Sequence, residues 1–201
     1  MQSVENKVLS KIKKCGRGFM FFPSDFMRLG EPKAVQKSFE ILTKKGTLIR
    51  VARGIYYYPK VENRLGLGIL YPTLEEISQT IAKRDKIKIA PTGLYAMNRL
   101  GLSSQVVMNA VFYTDGSSRT IHLDENKTIE FKHVVPKKLA FKNELSMLIV
   151  FALQEIKSEN FDDNYLAKLK KVLSDFPMEH ILEDANLIPA WIRKKIEKCY
   201  E

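Results

Sequence analysis

PKAVQKSFEILTKKGTLIRVARGIYYYP, residues 32–59, changes its hydrophobic period half-way along. In the first half Val35, Phe39 and Leu42 recur at i, i+4 and i+7, one stripe of a helix. Lys33, Gln36, Lys37, Glu40 and Lys44 fall on the opposite face. Pro32 suits the first helical position, where an N–H has no intrahelical partner, and Gly46 stops the helix after Lys45. In the second half two β-rich runs, 47–51 and 55–59, flank a tight loop carrying Gly54, the signature of a hairpin. A two-residue Arg53-Gly54 loop pairs Val51 with Tyr56 and Ile49 with Tyr58, which sends both tyrosines to the core. It leaves Arg50 across from Tyr57 on the other face and sets Arg53 at the tip.

Upstream, Val4, Val8, Leu9 and Ile12 predict an amphipathic helix over 3–15, with Lys7, Lys11, Lys13 and Lys14 on its remaining faces. Residues 19–22 form an apolar run too short for a helix. Pro23-Ser24-Asp25 then opens a short helix over 25–29, with Ser24 as N-cap and Gly30 as its end. Helix, short helix, basic-faced helix and hairpin, in that order, predict a winged helix-turn-helix domain over residues 1–62.

Residues 62–71, ENRLGLGILY, read as a linker; Gly66 and Gly68 lack the strand context and third glycine of a nucleotide-binding loop. Residues 63–201 predict an α+β domain with a helical tail. Thr73 and Glu76 make a capping box for a helix over 73–84, a strand over 87–90 precedes Pro91, and a second helix covers 92–100. Further strands are expected over 106–113, 119–123 and 129–135, with Thr114 to Ser118 as a polar hairpin turn, and helices over 145–156, 163–173, 178–185 and 189–200.

The charge is as uneven as the pattern. Of 33 Lys and Arg against 23 Asp and Glu, residues 1–62 hold 13 against 5, a net of +8, which leaves 20 against 18, a net of +2, for the rest. A basic excess confined to one module is the electrostatic footprint of nucleic-acid binding. Lys33, Gln36 and Lys37 lie near the helix N-terminus that meets base edges in a major groove; Arg50 and Arg53 would touch backbone or minor groove, with Arg17 a weaker candidate. Single-strand or RNA binding asks for aromatics free to stack, and the hairpin pairing leaves only Tyr57.

No catalytic or metal-binding constellation emerges, and no cofactor is implied. His122, His133 and His180 are scattered outside any ligand spacing, and Asp162-Asp163 sits at a helix start, where acidic side chains favour the dipole. No apolar run approaches the roughly 18 residues of a membrane span, and Cys15 and Cys199 read as reduced thiols, so a cytoplasmic protein is expected. In the last helix Ile188, Trp191, Ile192, Ile196 and Cys199 form one stripe beside Arg193, Lys194, Lys195 and Lys198. That is a docked core helix or, through Trp191, Arg193 and Lys194, a dimer or partner surface.

The segments GRGFMFFPSDF and AVQKSFEILTKKGTLIRVARGIYYYP, followed by APTGLYAMNRLGLSSQVVMNAVFYTDGSSRTI and LIPAWIRKKI, resemble AbiEi-type antitoxins of bacterial type IV toxin-antitoxin systems, over about residues 5–197. The resemblance implies a winged-helix repressor, a homodimer on DNA, that binds inverted repeats in its own promoter and counters a nucleotidyltransferase toxin without need of a stable complex. It places the DNA contacts on Lys33, Gln36, Lys37, Arg50 and Arg53 and offers no catalytic residue. Two other classes stay open. One is a winged-helix protein-interaction module or stand-alone regulator; the other is a nucleic-acid-processing enzyme, which needs carboxylates to converge around Asp115, Asp124 or Asp162.

Overall fold

A computed structural model describes residues 2–123 and 126–201 of the chain. The fold is mixed α+β with a helix at its C-terminal end, and it divides into two compact units: Met1–Ile81 with His122–Asn126, and Ala82–Ile121 with Lys127–Glu201.

The first unit opens with α1 (Val4–Cys15), whose N-cap Ser3 accepts the Asn6 N–H at 3.2 Å and whose Val8 and Ile12 are buried. A short strand, β1 (Met20–Phe21), leads into a 3-10 helix, Pro23–Leu29. Its cap differs from the expected one. The Asp25 carboxylate, not Ser24, reaches back to accept the Phe22 N–H at 3.2 Å, because Pro23 already occupies the first helical turn. Gly30 follows this helix, and its lack of a side chain matters for packing: a Cβ there would stand 2.7 Å from the Val4 side chain at the start of α1.

α2 (Pro32–Lys44) follows, with Val35, Phe39 and Leu42 buried as the stripe requires. Next come β2 (Ile49–Ala52) and β3 (Ile55–Tyr57), in an antiparallel sheet of order β1-β3-β2. A chain of aromatic rings locks helices and sheet together: Phe21 to Phe26 at 5.8 Å, Phe26 to Phe39 at 5.1 Å, Phe39 to Tyr56 at 4.8 Å. Each such pair adds about 0.5–1.5 kcal/mol beyond the area it buries.

The hairpin keeps its Arg53-Gly54 loop, with Gly54 at φ +75°, but its register differs from the expected one. Ala52 pairs with Ile55, then a bulge at Val51 shifts the ladder, so Arg50 faces Tyr56 and Ile49 faces Tyr57. Arg50 therefore lies beside Tyr56, not Tyr57. Tyr56 is buried and Tyr58 packs half-buried on the same core, but Tyr57, expected to be free, is only 4% exposed.

The reason lies in residues 60–70, which are not a linker. β4 (Lys60–Glu62) and β5 (Gly68–Leu70) form a second antiparallel hairpin, and the Tyr57 hydroxyl donates to the Leu70 carbonyl at 2.8 Å and accepts the Lys60 N–H at 3.3 Å. The compact unit thus runs past Glu62, where the sequence suggests a boundary, into α3 (Leu74–Asp85). Thr73 and Glu76 cap α3 reciprocally: the Glu76 N–H donates to Thr73 Oγ1 at 3.2 Å and the Thr73 N–H to Glu76 Oε2 at 2.7 Å.

The second unit is built on β6 (Ile89–Thr92), β7 (Asn109–Thr114), β8 (Arg119–His122) and β9 (Thr128–His133), in the order β6-β7-β9-β8. Pro91 lies inside β6 rather than after it, which an edge strand tolerates. β7 runs antiparallel to β6 and parallel to β9. The segment Thr114 to Ser118 is therefore not the turn of a hairpin between neighbours. The chain skips one place in the sheet, and Ser118 Oγ accepts the His133 N–H of β9 at 2.8 Å. Helices α4 (Gly93–Arg99), α5 (Glu144–Ile156), α6 (Asp163–Leu173), α7 (Met178–Leu182) and α8 (Ala190–Tyr200) supply the rest of the core, α5 being its most buried element. Asn143 caps α5, and the buried Asp184 carboxylate accepts the N–H groups of Lys142 and Asn143 at 2.9–3.0 Å.

Candidate nucleic-acid interface

The amphipathic stripe of α2 sets the geometry of its outer face. With Val35 and Phe39 held in the core, Lys33, Gln36 and Lys37 must stand in water, and they line one shallow depression together with Met27, Pro32 and Glu40. Among the described residues Lys37 pairs only with Glu40, at 3.7 Å and largely exposed, a pair that contributes about a few tenths of a kcal/mol. Lys33 and Gln36 have no hydrogen-bond or ion-pair partner among the described residues.

Arg50 and Arg53 are likewise exposed and unpaired among the described residues, on edge strand β2 and at the hairpin tip. Arg50 shares the sheet face of Tyr56, and Tyr56 packs on Phe39 of α2. That contact turns helix and hairpin into one rigid mount for these cations.

Arg17 is placed differently. Its guanidinium donates to the Pro59 carbonyl at 2.8 Å and lies 4.9 Å from the centre of the Tyr58 ring, fastening the segment after α1 to the end of the hairpin. Lys11 and Lys45 are engaged too: Lys11 donates to the Asp25 carbonyl at 2.7 Å, and Lys45 pairs with Glu5 at 2.6 Å. The +8 of residues 1–62 thus separates into cations that hold the unit together and cations left in solvent. Arg28, which the sequence reading passes over, belongs to the second class. It is exposed and without a partner among the described residues, next to Met27 of the depression. Its signal in the sequence was a lone cation just ahead of Pro32.

The remaining candidates belong to the second unit. Ile188, Ile192 and Ile196 are buried, and Trp191 and Cys199 pack half-buried against the same core; Arg193 is half-buried and Lys194 exposed. Burial pushes the Cys199 thiol up to about 11, despite the nearby positive charge of Lys170. His122, His133 and His180 are all exposed, and no group of three His, Cys, Asp or Glu able to hold a metal occurs among the described residues. Asp115 accepts the Lys88 N–H at 2.8 Å and Asp162 caps α6 by accepting the Tyr165 N–H at 2.9 Å; Asp124 lies outside the described residues.

A family model covers residues 7–181, from α1 through both units to α7. The chain belongs to the family of unknown function DUF6088. No curated protein matches it. Among solved structures the chain is similar to the crystal structure of the RV2827C protein from Mycobacterium tuberculosis, with a TM-score of 0.52 and 11% identity over 99% of this chain and 77% of that one. At that identity the likeness is one of fold. No helix among the described residues is long and apolar enough to cross a membrane.

Proposed function

We propose that this DUF6088 chain is a DNA-binding transcriptional regulator whose first unit is a winged helix-turn-helix, with α2 as the recognition helix and the β2–β3 hairpin as the wing. The observation that carries the reading is the outer face of α2. Lys33, Gln36 and Lys37 stand unburied over a shallow depression while Phe39, on the opposite face, is locked to the hairpin that bears Arg50 and Arg53. In this reading Gln36 reads a base edge in the major groove, the lysines and Arg28 neutralise phosphates, and Arg50 and Arg53 reach backbone or minor groove. Arg17 acts indirectly, by holding the hairpin.

The resemblance to AbiEi-type antitoxins extends the proposal to a cytoplasmic, non-enzymatic autorepressor that binds inverted repeats in its own promoter and opposes a nucleotidyltransferase toxin. The test is binding of the full chain to duplex DNA from upstream of its own gene. A dimer touching about six to ten phosphates should lose on the order of a thousandfold in affinity between about 50 and 200 mM salt. Equal binding to that DNA and to random duplex at every salt concentration would reduce the reading to non-specific attraction.

A second reading, a protein-interaction module, draws on the β4–β5 hairpin. There Val61, Leu67, Ile69 and Tyr71 are exposed apolar residues, Val61 directly opposite Ile69. A chain that shifts no duplex at low salt but forms a stable complex with the product of a neighbouring gene would favour it.

A further inference from the structure

The second unit contains a cavity of about 260 Å³ that the DNA-binding reading does not use. Its floor is hydrocarbon, formed by Val150 and Phe151 of α5 with Phe141 alongside. Its rim carries Lys137 and Lys138, from the 3-10 turn Pro136–Leu139, and the carboxamides of Gln154 and Asn186. Among the described residues no Asp or Glu lines it.

Lys138 is the telling group. Its ammonium stands 3.8 Å from the centre of the Tyr113 ring and 5.8 Å from that of Phe151, so it is held by aromatic faces in place of a carboxylate. Neither Lys137 nor Lys138 has an ion-pair partner among the described residues. Lys138 also contributes to the environment of the Tyr113 phenol. Burial raises the phenol, but hydrogen bonding to Thr92 and to Lys138 and the charge of Lys138 outweigh that and bring it below the usual tyrosine value. A half-buried cation without a counter-ion, beside a second cation and above an apolar floor, is complementary to an anion that brings its own hydrocarbon.

We propose that this cleft binds a small organic anion with a flat apolar body, an aromatic monocarboxylate in size and charge. Its carboxylate lies between Lys137 and Lys138, and its ring lies on Val150 and Phe151. The volume sets the size: pockets for drug-sized ligands run from about 300 to 1,000 Å³, so this one takes a single ring with short substituents. The site is independent of the DNA-binding reading, since all of its residues lie in the second unit.

The experiment is a calorimetric titration of the full chain with benzoate, beside benzyl alcohol, which keeps the ring without the charge, and inorganic phosphate, which keeps the charge without the ring. Benzoate should saturate a single site, and the other two should bind at least about tenfold more weakly. Lys137→Glu, at an exposed position that the fold does not need, should weaken benzoate by about tenfold or more. Lys138→Met, which keeps an apolar stem against Tyr113 and Phe151, should do the same. Lack of saturable benzoate binding overturns the proposal. So does benzyl alcohol binding as well as benzoate, or benzoate affinity unchanged in both variants.

Discussion

On α2, Val35, Phe39 and Leu42 enter the core and Lys33, Gln36 and Lys37 are left in water; on α8, Ile192 and Ile196 enter the core and the largest side chain outside that pair, Trp191, packs against it too. Both helices carry an apolar stripe and a basic flank, and in both the stripe is buried. They differ in the flank. The Lys195 ammonium of α8 stands 5.0 Å from the centre of the Phe161 ring and Arg193 is half-buried, whereas Lys33, Lys37 and Lys44 of α2 are all exposed and, among the described residues, no aromatic ring holds them. An amphipathic pattern says that a helix docks. It does not say whether the opposite face is free to bind something.

The largest test of that contrast is Phe39→Ala, which removes the ring joining Phe26 to Tyr56 and should cost about 3–5 kcal/mol. Denaturant unfolding should show the first unit failing at lower denaturant, and a loss below about 1 kcal/mol would mean that α2 and the hairpin are held by something other than this ring chain. Next comes the triple change Lys33→Ala, Lys37→Ala and Arg53→Ala. DNA affinity should fall on the order of a hundredfold, and each lost phosphate contact should reduce the salt slope by about 0.9. Arg193→Ala with Lys194→Ala should leave affinity within about twofold, and an equal loss from both sets would erase the distinction between the helices.

Trp191→Ala tests the other side of the comparison. As a half-buried core residue Trp191 should cost about 2 kcal/mol in a urea melt, whereas a partner-facing tryptophan would leave the midpoint where it was. A smaller effect is expected from Tyr57→Phe. It removes the hydroxyl between Leu70 and Lys60 and should cost about 1 kcal/mol, read as faster amide exchange over residues 60–70.

The smallest effect is a pH dependence confined to the second unit. Hydrogen bonds from Arg84, and then Arg119, hold the Asp85 carboxyl below the usual aspartate value, against the opposing effect of burial. Because its folded pKa is lowered, its contribution is full above the ordinary aspartate pKa and is lost as the pH falls through the lowered one. Unfolding midpoints of Asp85→Asn should therefore fall less steeply in acid than those of the parent chain.

The parts of the fold legible beforehand are those that neighbours in sequence decide. Thr73 and Glu76 announce the start of α3, Asp162 that of α6, and Pro32 with Gly46 brackets α2, because caps and breakers act within one turn. The hairpin loop at Arg53-Gly54 belongs with them. The register behind it does not: the bulge at Val51 lies in an edge strand, and two residues of chain facing one on the partner leave no mark in the hydrophobic pattern. Residues 62–71 looked like a linker because their apolar side chains have no polar alternation. They form a strand pair whose hold on Tyr57 is through a backbone carbonyl, which has no residue type to read.

The candidate site divides the same way. Spacing placed Lys33, Gln36 and Lys37 on one face, and the structure keeps them there. Arg17, the weaker candidate by sequence, is engaged within the fold, and nothing near it in the chain shows this, because its partner, the Pro59 carbonyl, lies 42 residues away.

Sequence by itself determined the α+β class, the helices and their buried stripes, and the concentration of charge in residues 1–62, because side-chain periodicity and capping act over a few residues. Only the tertiary structure decided which cations remain available, that β7 lies parallel to β9 with β8 outside them, and that Lys138 sits against Tyr113 without a counter-ion. Those outcomes depend on contacts between residues far apart in the chain. Such contacts form only once the loops between them have closed, and no local pattern records them.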